Sequence, residues 1–108
     1  MIEELWAVYK VLKWHKKTFP KVTYEEQTAK RRDEIHEWID AFDKYTKDKR
    51  KSRKNLAEME WADTIIAGIG CLRFKKTRSD IEDKMYINRM RSWYNNQHKG
   101  KKDDKVAR

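Results

Sequence analysis

Residues 55–72, NLAEMEWADTIIAGIGCL, contain no Lys or Arg, in a chain where these make up 27 of 108 residues. Asn55-Leu-Ala-Glu58 reads as a helix cap followed by a first-turn acid, and the residues after it are apolar on most sides. The stretch therefore predicts a central helix running to about Arg73 in an all-α domain. A second stretch free of Lys and Arg, residues 33–43, precedes it. Each carries an acidic pair at i, i+3 spacing, Glu34/Glu37 and Glu60/Asp63. Residues so spaced stand about one turn apart on the same side of a helix.

The flanking sequence supplies three more helices. Residues from about Glu3 to Thr18 place Leu5, Val8, Tyr9 and Leu12 at helical spacing and stop before Pro20. Thr23-Tyr-Glu-Glu26 is a capping box that opens a second helix. Its apolar stripe is Ile35, Trp38, Ile39, Phe42 and Tyr45, and it ends near 44–47. Residues 44–54 form a basic, polar connector. Ser79-Asp-Ile-Glu82 is a further box, opening a final helix through about Tyr94. The expected architecture is one all-α domain over residues 1–98, a bundle of four to five helices, with a charged, disordered tail at 99–108. A short connector makes the second and third helices antiparallel neighbours, which brings the two acidic pairs to similar heights.

Composition narrows the partners. The formal net charge of +9 calls for an anionic partner. Only Gly68, Gly70, Gly100 and Pro20 break the chain, too few for a turn-rich β fold. Five Trp, five Tyr and three Phe argue for a folded chain despite its high charge. The single Cys71 lies in the most apolar segment and reads as a buried, reduced thiol. No basic region followed by an apolar run marks a signal peptide, and the longest uncharged apolar stretch, 64–72, is too short to span a bilayer. A cytoplasmic protein with no membrane association is expected.

Acidic i, i+3 pairs also occur at Glu37/Asp40, Asp40/Asp43 and Asp80/Asp83, so for Glu34/Glu37 alone a solvated acidic face is the plain alternative. Asp63 is harder to explain that way. On a helical wheel it projects with Leu56, Met59, Ile66 and Gly70, inside the apolar surface of the central helix. A buried carboxylate is costly unless paired or metal-bound, and no basic residue of that helix is placed to pair it. An all-oxygen cluster favours Mg²⁺, with Mn²⁺ as the alternative, over Zn²⁺. Mg²⁺ keeps several waters and completes its shell with phosphates, and a metal-held water is a nucleophile for a phosphoryl group.

Asp33-Glu34-Ile-His-Glu37, followed after 22 residues by Glu60-Trp-Ala-Asp63, resembles the ExxE…ExxD pattern of the MazG-like all-α NTP pyrophosphohydrolases. Thr18-Phe-Pro20 is similar to the lead-in of dATP/dGTP pyrophosphohydrolase-like members. The run from Asp80 to Arg89 resembles their K-x-x-x-N-R segment through Lys84, Asn88 and Arg89. The resemblance covers roughly residues 14–95. It implies an oligomeric helical bundle, dimeric or tetrameric, that hydrolyses a (d)NTP, with purine deoxynucleotides the nearest comparison, to (d)NMP and pyrophosphate. Glu34, Glu37, Glu60 and Asp63 would hold Mg²⁺ and serve catalysis; Lys84, Asn88 and Arg89 would contact phosphates. Asp33, where many relatives have Glu, and His36, read as an exposed histidine, depart from the pattern.

Trp38 and Trp61, each beside an acidic pair, are candidates for stacking on a base, with core packing the equal alternative. Trp14, Trp93 and Tyr94 are weaker candidates for a base pocket. The basic connector keeps a different reading open: a helical protein that binds nucleic acid or a nucleotide without turnover.

Overall fold

The computed structural model describes residues 1–97, whose regular structure is all helical, with no strand among them. The helices are α1 (Ile2–Thr18), α2 (Tyr24–Lys47), α3 (Lys51–Gly70) and α4 (Lys75–Gln97), with a 3-10 turn, Cys71–Arg73, after α3. The chain divides into two compact units, Met1–Phe74 and a second beginning at Lys75. The tail expected at 99–108 lies outside the described residues. No helix among the described residues is long and apolar enough to cross a membrane.

Local chemistry accounts for most boundaries. Helix α1 has Glu3 and Glu4 in its first turn and Lys16 and Lys17 in its last, matching the helix dipole, and it stops just ahead of Pro20. The capping box on α2 is fully formed: Thr23 Oγ1 accepts from the Glu26 amide at 3.1 Å, and Glu26 Oε1 accepts from the Thr23 amide at 3.4 Å. Two expected starts are displaced. Helix α3 begins at Lys51 rather than Asn55, so the connector shrinks to residues 48–50. Asp48 closes it by accepting from the Arg50 amide at 3.2 Å and from Arg50 Nε at 2.7 Å, and the Lys and Arg that follow are good helix formers. Helix α4 likewise begins at Lys75, ahead of the Ser79 box.

In the first unit, α2 and α3 form an antiparallel hairpin, with α1 against α3. The buried residues of α2 are Gln27, Glu34 and Ala41; Ala57 and Thr64 of α3, then Cys71 of the turn, match them. Both sets recur every seven residues, the spacing that keeps one seam facing a partner helix. The seam is built of small and polar side chains, and no large side chain among the described residues is fully buried. This corrects the helical-wheel reading of α3: Asp63 is exposed, as are Leu56 and Met59, and the seam position belongs to Thr64. Thr64 Oγ1 satisfies itself on its own helix, contacting the carbonyls of Glu60 and Trp61 at 3.0 and 2.7 Å. On α1 the inward face is Val8, Val11, Leu12 and His15, while Leu5 and Tyr9 of the expected stripe are exposed, Tyr9 stacked on Trp6 at 5.5 Å. Cys71 is buried and free, and burial pushes its thiol pKa up, as expected of an unreactive thiol.

A buried polar junction ties the three helices together. Gln27 Nε2 donates to the Ala67 carbonyl at 2.9 Å, leaving Gln27 Oε1 to accept from His15 Nε2 at 2.7 Å. His15 Nδ1 then faces Arg73 Nη1 at 3.4 Å, which assigns the neutral tautomer with its proton on Nε2. Arg73 also donates to the carbonyls of Phe19 and, at 3.0 Å, Pro20, fastening the α1–α2 connection to the end of α3. Gly70 lets these groups approach. A Cβ there would lie 2.6 Å from Gln27 Nε2 and 2.7 Å from His15 Nε2, whereas at Gly68 the nearest group is Arg31 Nε at 3.7 Å. Gly70→Ala is therefore expected to lower stability by roughly 1–3 kcal/mol through overpacking. Gly68→Ala should be neutral or stabilising by up to about 1 kcal/mol through helix propensity. Urea denaturation followed by circular dichroism separates the two, and equal midpoints would contradict the assigned junction.

Candidate functional site

The antiparallel register brings Glu34 and Glu37 of α2 against Glu60 of α3. One carboxylate oxygen from each lies within 4.8 Å of the other two. Glu34 is a seam residue, only 8% exposed, Glu60 is half-buried, and Glu37 stands at the exposed rim. Glu34 Oε1 pairs with Lys30 Nζ at 2.7 Å. Lys30 lies one turn ahead of the window free of basic residues, so that window does not leave Glu34 wholly uncompensated. With the three carboxyls ionised, Glu34 Oε2 and Glu60 Oε2 are buried with no hydrogen-bond partner among the described residues; protonated, Glu37 is placed to donate to Glu34. An unpartnered buried carboxylate oxygen is a costly group to retain unless something else occupies its lone pairs.

The electrostatics reflect this crowding. The charge of Glu34, followed by desolvation and the charge of Glu60, raises the Glu37 pKa above its ordinary value, while Lys30 opposes the shift. In turn, the Glu34 carboxylate holds the Lys30 ammonium above its usual range. A cation bound by oxygens at about 2.0–2.6 Å spans ligand atoms up to about 4–5 Å apart, so the three carboxylates fit one hard divalent ion. An all-oxygen donor set suits hard divalent cations as a class rather than thiophilic ones.

Beside the cluster, a groove of about 590 Å³ opens between α1, α2 and α3. Trp14, Phe19, Val22 and Ile66 supply its apolar walls, and Lys30, Glu34 and Asp63 its polar edge. Asp63 thus reaches the same groove as Glu34 but is not among the three clustered carboxylates. Trp14, read from sequence as a weaker base-pocket candidate, lines this groove. Trp38 and Trp61 pack on each other at 4.9 Å and line a different groove. Lys84, Asn88, Arg89 and Trp93 lie exposed on α4, in the second unit, where Tyr94 is half-buried. His36 is exposed, as expected.

Sequence reasoning missed His15, Gln27, Lys30 and Arg73. His15 continues the spacing of Leu5, Val8 and Leu12, and Lys30 is four residues before Glu34, so both signals were present. Nothing local points to Gln27 or Arg73, whose partners are distant in sequence.

Comparison with family models, with curated proteins and with solved structures found no match.

Because the Glu37 pKa is raised on folding, its neutral form is favoured in the folded state. The repulsion is absent below the ordinary carboxylate value of 4.5 and grows as pH rises through the raised value. Metal-free protein should therefore lose stability at this site as pH rises, and Glu37→Gln should lose less. Melting temperatures in EDTA at about pH 4 and pH 7 measure the difference. A variant less stable than wild type at the higher pH would contradict the crowding.

Proposed function

We propose that the chain is a Mg²⁺-dependent nucleotide pyrophosphohydrolase of the MazG-like type, cleaving a (d)NTP to (d)NMP and pyrophosphate. The observation that carries this reading is the three-carboxylate cluster with two buried, unpartnered oxygens, Glu34 Oε2 and Glu60 Oε2. The sequence resemblance supplies the reaction class. Glu34, Glu37 and Glu60 would hold Mg²⁺, which when bound neutralises phosphate charge and acidifies a water.

The chain's own residues account for the rest. The groove beside the cluster offers aromatic and aliphatic walls for a base, and Trp14 and Phe19 are its rings. Lys30, on the groove edge and already paired with Glu34, is the cation nearest the cluster for an anionic oxygen. Asp63, exposed in the same groove and outside the cluster, is free to orient a water. For Lys84, Asn88 and Arg89, in the second unit, a phosphate-contacting role rests on the sequence resemblance alone. The large apolar side chains left exposed on the first unit, Ile39, Met59 and Ile65 among them, support assembly into the dimer or tetramer typical of such enzymes.

Purified protein incubated with each common NTP and dNTP should release the monophosphate and pyrophosphate with Mg²⁺ and nothing in EDTA. Release of NDP and phosphate would overturn the bond assignment, and no turnover by folded protein would overturn the reading. Glu34→Ala and Glu60→Ala should each lower kcat/KM by more than about 100-fold, beyond the range typical of outer-shell partners, with helical circular dichroism retained. At a hundredfold excess over its Kd, Mg²⁺ should add about 2.7 kcal/mol of stability to the wild type and much less to Glu60→Ala.

A further inference from the structure

We propose that the connector end of the α2–α3 hairpin binds single-stranded nucleic acid, on a surface that shares no residue with the carboxylate cluster. A groove of about 290 Å³ opens there, lined by Trp38, Phe42 and Tyr45 of α2 and by Ala57 and Trp61 of α3. The rings form a continuous row: Trp61 and Trp38 at 4.9 Å, Trp38 and Phe42 at 6.0 Å, Phe42 and Tyr45 at 6.4 Å. Phe42 is 45% and Trp61 49% exposed, while Trp38 and Tyr45 are half-buried between and beside them. Exposed rings in a row are a platform for unpaired bases, which stack on any aromatic face regardless of sequence.

The charge around the row matches that ligand. Residues 44–54 hold seven Lys and Arg against the single Asp48, a net +6 of the chain's +9. Lys49 Nζ sits 4.6 Å from the centre of the Tyr45 ring, and Lys54 lines the groove itself. Most acids nearby are paired: Asp48 with Arg50, and with Arg53 at 3.8 Å; Glu58, which also lines the groove, with Lys54 at 3.9 Å; Asp40 with Lys44 at 3.1 Å; Asp43 has no ion pair among the described residues. Lys47, Lys49 and Lys51 form no ion pair among the described residues and supply the excess positive charge. Helix α3 starts at Lys51, so Lys51, Arg53 and Lys54 are mounted on a helix rather than on a loose connector.

A single strand satisfies both halves of the surface, phosphates meeting the basic end and bases meeting the rings. Duplex offers the phosphates but keeps its base faces stacked internally. A second copy of the chain fits poorly, because a two-fold contact across this groove would set two +6 ends against each other.

The test uses the full chain in EDTA, which silences the carboxylate site, with a fluorescein-labelled oligo-dT of about 12 nucleotides, a length within single-strand site sizes. Binding should raise fluorescence anisotropy, quench tryptophan emission and fall linearly on a log–log plot against salt. Lys49→Glu with Lys51→Glu should weaken it at least tenfold. Phe42→Ser should weaken it and reduce the quench, with helical circular dichroism unchanged in both variants. Three results would overturn the proposal: equal affinity for a duplex of the same length without a quench; binding to anionic vesicles but not to the oligonucleotide; or a dimer in sedimentation that Phe42→Ser dissociates.

Discussion

The close approach of α2 and α3 along a seam of small residues is the constraint on which the rest of the first unit depends. Ala41, Ala57, Thr64 and Ala67 leave little side-chain volume between the helices. Side chains placed beside that seam therefore meet across it. Gln27 reaches the Ala67 carbonyl and Glu34 meets Glu60, in the reversed order an antiparallel pair requires, and the large rings of Trp38 and Trp61 meet close by. A seam of large aliphatic residues would hold the helices further apart and would have no room for a carboxylate at Glu34. Gly70 extends the same logic to α1, since only a residue without a Cβ lets His15 and Gln27 pass so close to α3.

That arrangement places charge where burial alone would not. Three carboxylates share one small volume with Lys30 as the adjacent cation, and two of their oxygens are buried without a partner. Taken as stability alone this is a defect, because the charges of Glu34 and Glu60 raise the Glu37 pKa and desolvation adds to the cost. Perturbed carboxylates of this kind are enriched at functional sites. The polar junction of His15, Gln27 and Arg73 carries no such deficit: none of its buried side-chain nitrogens or oxygens lacks a hydrogen-bond partner, and it joins the helices that line the groove.

Charge is also segregated along the hairpin. Its middle is acidic and partly buried; its connector end is basic, exposed and faced with aromatic rings. These two regions suit different ligands. Under the proposed functions, a small hard cation, with the phosphates it attracts, belongs to the acidic one and a polyanion with flat, apolar faces to the basic one.

Much of this was legible in the sequence, because it depends on residues close together along the chain. The capping box at Thr23 and Glu26, the stop before Pro20, the all-helical class and the carboxylates Glu34, Glu37 and Glu60 follow from spacing and composition. The start of α3 was misread because a cap motif at Asn55 is only a local preference, and the Lys and Arg before it extend a helix as readily as they form a loop. Asp63 was misread because one residue is a turn of 100° on a helix, and periodicity fixes a helix's apolar face no more finely than that. Which carboxylates meet, which oxygens lose their partners, and that Gln27 and Arg73 anchor the junction were decided only by tertiary structure. Each depends on the register and separation of helices that are distant in sequence, and local preference carries no information about either.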